Sequence, residues 1–266
     1  MVRMGEKMDH SENKTVSLQD VREYAGKRDI SIREAEMMLL DEGVTPLRYL
    51  HNVSFWGREA QIKLLASRVF VLGLGGLGGA LCEILARLGV GRLVLVDSDQ
   101  FDESNLNRQL LCRECDLGKD KAAQARERVL NINSAIDVEI HVLHADANSI
   151  EPLLAGCSLA LDALDNVESR VMLEKACLNM GVPLIHGALG NTSFQVSTIK
   201  RRPLLQNLYA NAETTIMGNL VPTIFMCAAF EAAEAVKVLT GLGDVLESEL
   251  LLGDWLHNTY DKLTLA

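Results

Sequence analysis

RVFVLGLGGLGGALCEILARLGVGRLVLVDSD, residues 68–99, carries the pattern on which the fold turns. RVFVLGLG is an apolar run of buried-strand character that enters a glycine-rich turn. GALCEILARLG repeats its apolar residues at helical spacing, and RLVLVDSD is a second apolar run ending on acids. Gly73, Gly75 and Gly78 stand at G-x-G-x-x-G spacing, with Gly76 among them. Glycine permits the tight turn and lets a phosphate reach backbone N–H groups at the start of the helix. Asp97 follows Gly78 by nineteen residues, where an acid can grip ribose hydroxyls, and Asp99 completes an acid pair. Strand, turn, helix, strand and acid together predict a nucleotide-binding βαβ unit.

Outward from this unit the alternation continues. Glu139–Val142 and Ser158–Leu161 are further strand candidates, with helices near Lys121–Asn131 and Arg170–Met180. Strands alternating with helices across short turns imply an α/β fold, a doubly wound Rossmann-like parallel sheet covered on both faces. The last third differs: Phe194–Lys200, Leu250–Gly253 and Thr259–Leu265 read as strands around one long helix, Thr223–Thr240, and continue the sheet antiparallel. Upstream, residues 1–16 are polar and predicted to be a disordered tail. Residues 17–47 predict a small helical extension. Ser17 with Asp20 and Ser31 with Glu34 have the spacing of helix-start boxes, and the second helix puts Ala35, Met38 and Leu39 on one face before stopping near Gly43 and Pro46. The nucleotide-binding domain then spans residues 48–266.

The 266 residues are 48% apolar and 23% charged, an ordinary globular composition, with a net charge of -10. That sign argues against nucleic acid and anionic membranes as partners. It also disfavours a DNA-binding hairpin at residues 17–47, which hold four Lys/Arg against seven Asp/Glu. The uncharged stretches Val69–Cys82 and Thr214–Phe230 are too short or too interrupted to span a bilayer. Six cysteines without a secretory signal suggest reduced thiols and a cytoplasmic location.

The glycine fingerprint equally suits NAD. The discriminating stretches are DSDQFDESNLNRQLL at 97–111, GKDK at 118–121 and LDALDN at 161–166. Asn105, Arg108 and Gln109 follow the second strand and are expected at the carboxyl edge of the sheet. Hydride transfer needs no Arg and Lys there; nucleotidyl transfer does, because negative charge builds on phosphate oxygens. Asp165, just past a buried strand, suits Mg²⁺, a hard ion that prefers oxygen ligands. Taken singly, Arg108 or Lys121 reads as a solvated charge and Asp165-Asn166 as a helix cap. Order and spacing together favour the site.

Arg48-Tyr49, GLGGLG, VDSD, NLNRQ, the lysine after GKD, LDALDN followed by Arg170, GVPLIHGA at 181–188 and a Pro222 helix containing EAVKVLTG make the chain resemble the ThiF/MoeB/HesA family over about residues 48–266. This resemblance implies ATP-dependent adenylylation of the C-terminal carboxylate of a small ubiquitin-like sulfur-carrier protein, often ending in Gly-Gly, in molybdenum, tungsten or thiamine cofactor synthesis. Gly76 and its neighbours would hold the nucleotide and Asp97 the ribose. Asn105, Arg108 and Lys121 would contact the phosphates, and Asp165 would hold Mg²⁺. A homodimer is likewise implied. Where the family commonly has Arg-Gln, whose arginine reaches a neighbouring subunit's phosphate site, this chain has His51-Asn52. It lacks the two late Cys-x-x-Cys pairs that bind zinc in many members, so zinc is not expected. The crossover loop Arg201–Gly218 holds no cysteine, which argues against a thioester or persulfide there.

Cys112-Arg-Glu-Cys115 is a lone pair, half of a tetrahedral zinc site; incidental thiols are the favoured reading, with metal binding and redox or sulfur handling as the alternatives. Cys82, Cys157, Cys177 and Cys227 are assigned to packing, and His186 is expected to follow a buried strand as a structural histidine, with an approach to the substrate tail as the alternative. Two other readings remain open: a nicotinamide-dependent oxidoreductase on the same glycine turn, and a non-catalytic scaffold that presents a partner.

Overall fold

A computed structural model describes residues 14–210 and 218–265. β1 (Thr15–Val16) pairs in parallel with β2 (Thr45–Pro46), and between them lie α1 (Leu18–Arg28) and α2 (Ile32–Asp41). Both helices start as their sequences predict. The Ser17 and Ser31 hydroxyls accept the N–H groups of Asp20 and Glu34, whose carboxylates accept the serine N–H groups in return. Two expectations need correction. Thr15 and Val16 belong to a strand rather than to a tail over residues 1–16, because Thr45 N–H bonds the Lys14 carbonyl; residues 1–13 lie outside the described residues. Met38 faces solvent, and α2 instead buries Ala35, Glu36, Leu39 and Leu40. Leu40 joins Tyr49, Val53 and Leu65 against α3 (Leu50–Ala66).

The remainder is one sheet of eight strands with helices on both faces. In chain order come β3 (Arg68–Leu72), α4 (Gly76–Leu88), β4 (Arg92–Val96), α5 (Lys121–Ile132), β5 (Asp137–His141), α6 (Ala147–Leu154) and β6 (Leu159–Asp162). Then follow α7 (Val167–Met180), β7 (Leu184–Gly190), β8 (Ser193–Ile199), α8 (Leu205–Leu208), α9 (Val221–Thr240), β9 (Glu249–Asp254) and β10 (Thr259–Thr264). Strand order is β10-β9-β8-β7-β6-β3-β4-β5. The five strands from β7 to β5 run parallel, and β7, β8, β9 and β10 pair antiparallel in turn. The doubly wound sheet with its antiparallel continuation is therefore as expected.

Alternate residues of each strand point to opposite faces, which divides the core in two. Val69, Val71, Leu93, Leu95 and Leu161 pack with Leu81, Leu85, Ala125 and Cys227 from α4, α5 and α9. Phe70, Leu72, Val94, Val96 and Leu184 pack with Ile150, Leu173 and Cys177 from α6 and α7. Cys82, Cys177 and Cys227 are thus core residues, and burial raises their thiols. Three helices have no counterpart in the sequence reading, one of them the four-residue α8. α3 contains Gly57 at φ +80°, which breaks its periodicity, and α6 is eight residues long with Pro152 inside.

Candidate active site

A cleft of about 410 Å³ opens at the carboxyl ends of β3, β4 and β6. β3 lies between β6 and β4, where the chain winds in opposite directions, and such a switch point is where open α/β sheets bind ligands.

The glycine turn forms one wall. Gly73 sits at φ +89°, and a Cβ there would lie 2.6 Å from the Ala163 carbonyl oxygen, so only glycine can bring β3 this close to the β6–α7 turn. At Gly78 a Cβ would run into the Gly73 carbonyl, which makes this residue a packing position under the turn rather than part of the cleft wall. Gly75 caps α4 without a side chain, and Gly73, Gly75 and Gly76 face the cleft. The first N–H groups of a helix have no intrahelical partners, so this end offers donors to an anion.

Asp97 follows β4 and holds the turn as well as facing the cleft. Its Oδ2 accepts Leu74 N–H at 2.6 Å and its Oδ1 accepts Asp99 N–H at 2.8 Å. Burial nonetheless raises its carboxyl above the usual range. Lys121 opens α5; its side chain is buried, with Nζ 2.9 Å from Asp99 Oδ2. This hydrogen bond holds the Asp99 carboxyl below its usual value. Arg108 is half-buried and donates from Nη1 to the Ser104 carbonyl at 2.6 Å. Gln109 is buried against Gly75, and its Oε1 has no hydrogen-bond partner among the described residues. An orphaned buried oxygen on a cleft wall fits a site that a polar ligand completes.

Asn105 is not brought to the cleft. Its Oδ1 accepts Asp102 N–H at 3.2 Å and its Nδ2 donates to Ser104 Oγ at 3.3 Å, so the amide is consumed in shaping the loop. Asn166 lines the cleft, but its Oδ1 accepts Ser169 N–H at 2.9 Å as the N-cap of α7. Asp165 faces the cleft one residue earlier.

Behind Asp165 lies a buried polar network, of which the sequence predicts a role only for His186, as a structural histidine. His186 does not follow β7 but lies within it, fully buried, with Nδ1 2.7 Å from Asp162 Oδ2. Burial lowers the imidazole pKa, so the neutral ring donates from Nδ1 to Asp162 and accepts the Tyr209 hydroxyl at Nε2, 3.0 Å away. Gln195 Nε2 donates to the same hydroxyl oxygen at 2.8 Å. Arg170, quoted above only as part of a motif, is buried yet borders the cleft; it donates to the Gly187 and Leu164 carbonyls and lies 3.6 Å from Asp162. Burial opposes the Asp162 charge, but Arg170 and His186 outweigh it and hold this carboxyl low. Glu231 packs against Gly187, where a Cβ would collide with it, and burial raises its carboxyl well above the usual range. His144, Ser169, Asn219 and Ile224 are among the further lining residues that the sequence did not single out. The Asp162–Arg170 spacing of eight residues was a visible signal, but nothing local foretold their burial.

The Cys112 and Cys115 side chains turn to different neighbours, Asp102 O and Asp116 Oδ1. Among the described residues no group of three or more His, Cys, Asp or Glu is gathered to hold a metal, and no helix is long and apolar enough to cross a membrane.

The sequence pattern of the ThiF family matches residues 48–266. The chain is 34% identical over 218 residues to the SAMP-activating enzyme E1 of Haloferax volcanii, covering 78% of this chain and 80% of that one. It is 36% identical over 224 residues to the molybdopterin-synthase adenylyltransferase of Salmonella typhimurium, covering 81% and 89%. Among solved structures, E. coli MccB crystallised with ATP superposes with a TM-score of 0.72 at 21% identity, over 83% of this chain and 72% of that one, a likeness of fold.

Proposed function

The chain belongs to the ThiF family, and from that premise we propose that it is an adenylyltransferase that activates the C-terminal carboxylate of a small ubiquitin-like sulfur-carrier protein with ATP. The observation that carries the reading is the meeting of a glycine-cradled helix start, two cations and an exposed acid in one cleft: Gly75-Gly76, Arg108, Lys121 and Asp165. Hydride transfer to a nicotinamide needs no such cations beside the phosphates.

In this reading the triphosphate lies along the N-terminus of α4, Asp97 faces the ribose, and Gln109 Oε1 gains a partner from the bound nucleotide. A carboxylate oxygen of the carrier, whose tail ends in Gly-Gly, attacks the α-phosphorus; the O–P bond forms as the bond to pyrophosphate breaks. No protein nucleophile is required. Arg108 and Lys121 stabilise the charge that develops on the phosphate oxygens, and the protein otherwise positions its two substrates. Lys121 reaches that role by exchanging its bond to Asp99 for a phosphate. Mg²⁺ supplies charge neutralisation on the phosphates when bound, and Asp165 and Asp99 are the carboxylates that suit it. The family's homodimer and a cytoplasmic location belong to the same proposal.

The test is calorimetric titration with ATP plus Mg²⁺, against NAD⁺ and NADH, on the wild type and Asp165→Ala. ATP binding that weakens in the variant, with loss of Mg²⁺-dependent pyrophosphate release and an unchanged fold, is the expected result. Binding of the nicotinamide cofactors alone overturns it, and near wild-type turnover in the variant removes Asp165 from the mechanism.

A further inference from the structure

Asp162 and Arg170 meet on the backbone just before Asp165. Asp162 Oδ1 accepts Leu164 N–H at 3.1 Å, while Arg170 Nη2 donates to the Leu164 carbonyl. Both peptide units of Leu164 are therefore held by one buried, oppositely charged pair. That pair is in turn set by a third layer. Tyr209, immediately after α8, passes a hydrogen bond through His186 to Asp162, and its hydroxyl oxygen lies 3.5 Å from Arg170 Nη1. Every donor in this chain finds an acceptor, and the run ends at the turn that carries Asp165. Buried networks of this kind are rigid because loosening one member leaves another unsatisfied.

We propose that Tyr209 is a positioning residue: through His186, Asp162 and Arg170 it sets the Leu164–Asp165 turn so that the Asp165 carboxylate faces the nucleotide phosphates. This rests on the reading of Asp165 as the acid that serves Mg²⁺-bound ATP. Tyr209 itself is absent from the cleft wall, so its influence runs through the turn and not through contact with ligand. Arg170, although it borders the cleft, spends its donors on the protein and acts on the same turn.

The test uses the full chain and reads the gain in ATP affinity produced by Mg²⁺, from titrations with ATP in the presence of Mg²⁺ and in EDTA. Tyr209→Phe removes one hydroxyl and keeps the ring, which packs edge-on to His186 at 5.8 Å, so the fold is retained. The expected result is a Mg²⁺ gain reduced several-fold in Tyr209→Phe, with ATP affinity in EDTA unchanged. Asp165→Asn abolishes the gain, and adding Tyr209→Phe to Asp165→Asn changes nothing further. A wild-type Mg²⁺ gain in Tyr209→Phe overturns the positioning role alone, as does an equal weakening with and without Mg²⁺, which marks a general structural effect. A wild-type Mg²⁺ gain in Asp165→Asn overturns the underlying reading of Asp165 and the positioning role with it.

Discussion

Arg108 and Lys121 reach the same cleft from opposite states of employment. Lys121 is buried and ion-paired with Asp99, whereas Arg108 is half-buried and bonded to its own loop at the Ser104 carbonyl. Arg108 therefore needs to change only its loop contacts to reach a phosphate. Arg108→Ala is expected to lose on the order of 2–4 kcal/mol of transition-state stabilisation, the scale of one preorganised donor. Steady-state kinetics of pyrophosphate release check this: a fall in kcat marks stabilisation of the transition state, and a change in KM alone marks uniform binding. Gly78 is a residue of another kind. Its substitution by alanine forces a Cβ into the Gly73 carbonyl, backbone against backbone, and is expected to cost about 3 kcal/mol or more in a urea titration, the upper range for overpacking. At this scale the sequence was most legible where a residue acts on its own neighbourhood. The glycine turn, Asp97 and the two serine caps follow from local spacing. Asn105 misled because its amide, equally able to reach outward, finds Asp102 and Ser104 first.

At the scale of elements, α2 determines how the helical extension sits on the domain. Its Glu36 is fully buried, with Oε2 accepting the Tyr49 hydroxyl at 3.1 Å and Oε1 3.4 Å from Arg48 Nε. Arg33, also on α2, pairs with Asp137 at 2.9 Å at the start of β5. Burial outweighs the nearby arginine and raises the Glu36 carboxyl to about 7 from an ordinary 4.5. The folded state then holds a proton that the unfolded chain has released. This contribution is complete below pH 4.5 and is lost as pH rises through about 7. Relative to Glu36→Gln, which does not titrate, wild-type stability is expected to fall by up to about 3 kcal/mol across that window. Urea unfolding of both proteins at pH 5 and pH 7.5 checks it; a difference that stays constant rules out the shift. Arg48-Tyr49 stood out in the sequence as a family feature. That its partners are Glu36 and Asn133 was invisible, because they lie 12 and 85 residues from Arg48 and are joined only by the docking of α2 and α5.

Across the whole molecule, the extension and the sheet form a continuous body. Leu40 of α2 shares a core with Tyr49, Val53 and Leu65, and the Arg33 side chain lies over Gly91 where β4 begins. Deleting residues 1–47 uncovers that core and leaves Arg48 without its buried carboxylate. A loss of more than about 3 kcal/mol of unfolding free energy is expected, since each large apolar side chain returned to water costs roughly 1.5–3 kcal/mol. A truncated chain with the wild-type urea midpoint refutes the structural role and leaves the extension as an appendage. The outlying domain boundary at residue 48 is accordingly a boundary of sequence pattern, placed in the turn Leu47–Tyr49, while the packing runs across it.

What the sequence determined by itself is whatever depends on neighbours along the chain. A run of Val, Leu and Phe into Gly-x-Gly-x-x-Gly predicts strand, turn and helix, because glycine alone reaches φ +89° at Gly73 and leaves room for its carbonyl at Gly78. Alternation of such units predicts the doubly wound sheet, and the order of Asp97, Arg108, Lys121 and Asp165 predicts one cleft, since each follows the carboxyl end of a strand or opens the next helix. The tertiary structure alone decided which polar groups are sealed away. Asp162 and His186 share hydrophobic surroundings with ordinary strand residues; only the pairing of β6 with β7, and Arg170 turning back from α7, makes their burial tolerable. Burial of charge is a balance of desolvation against partners brought from afar, and those partners exist only once the chain has folded.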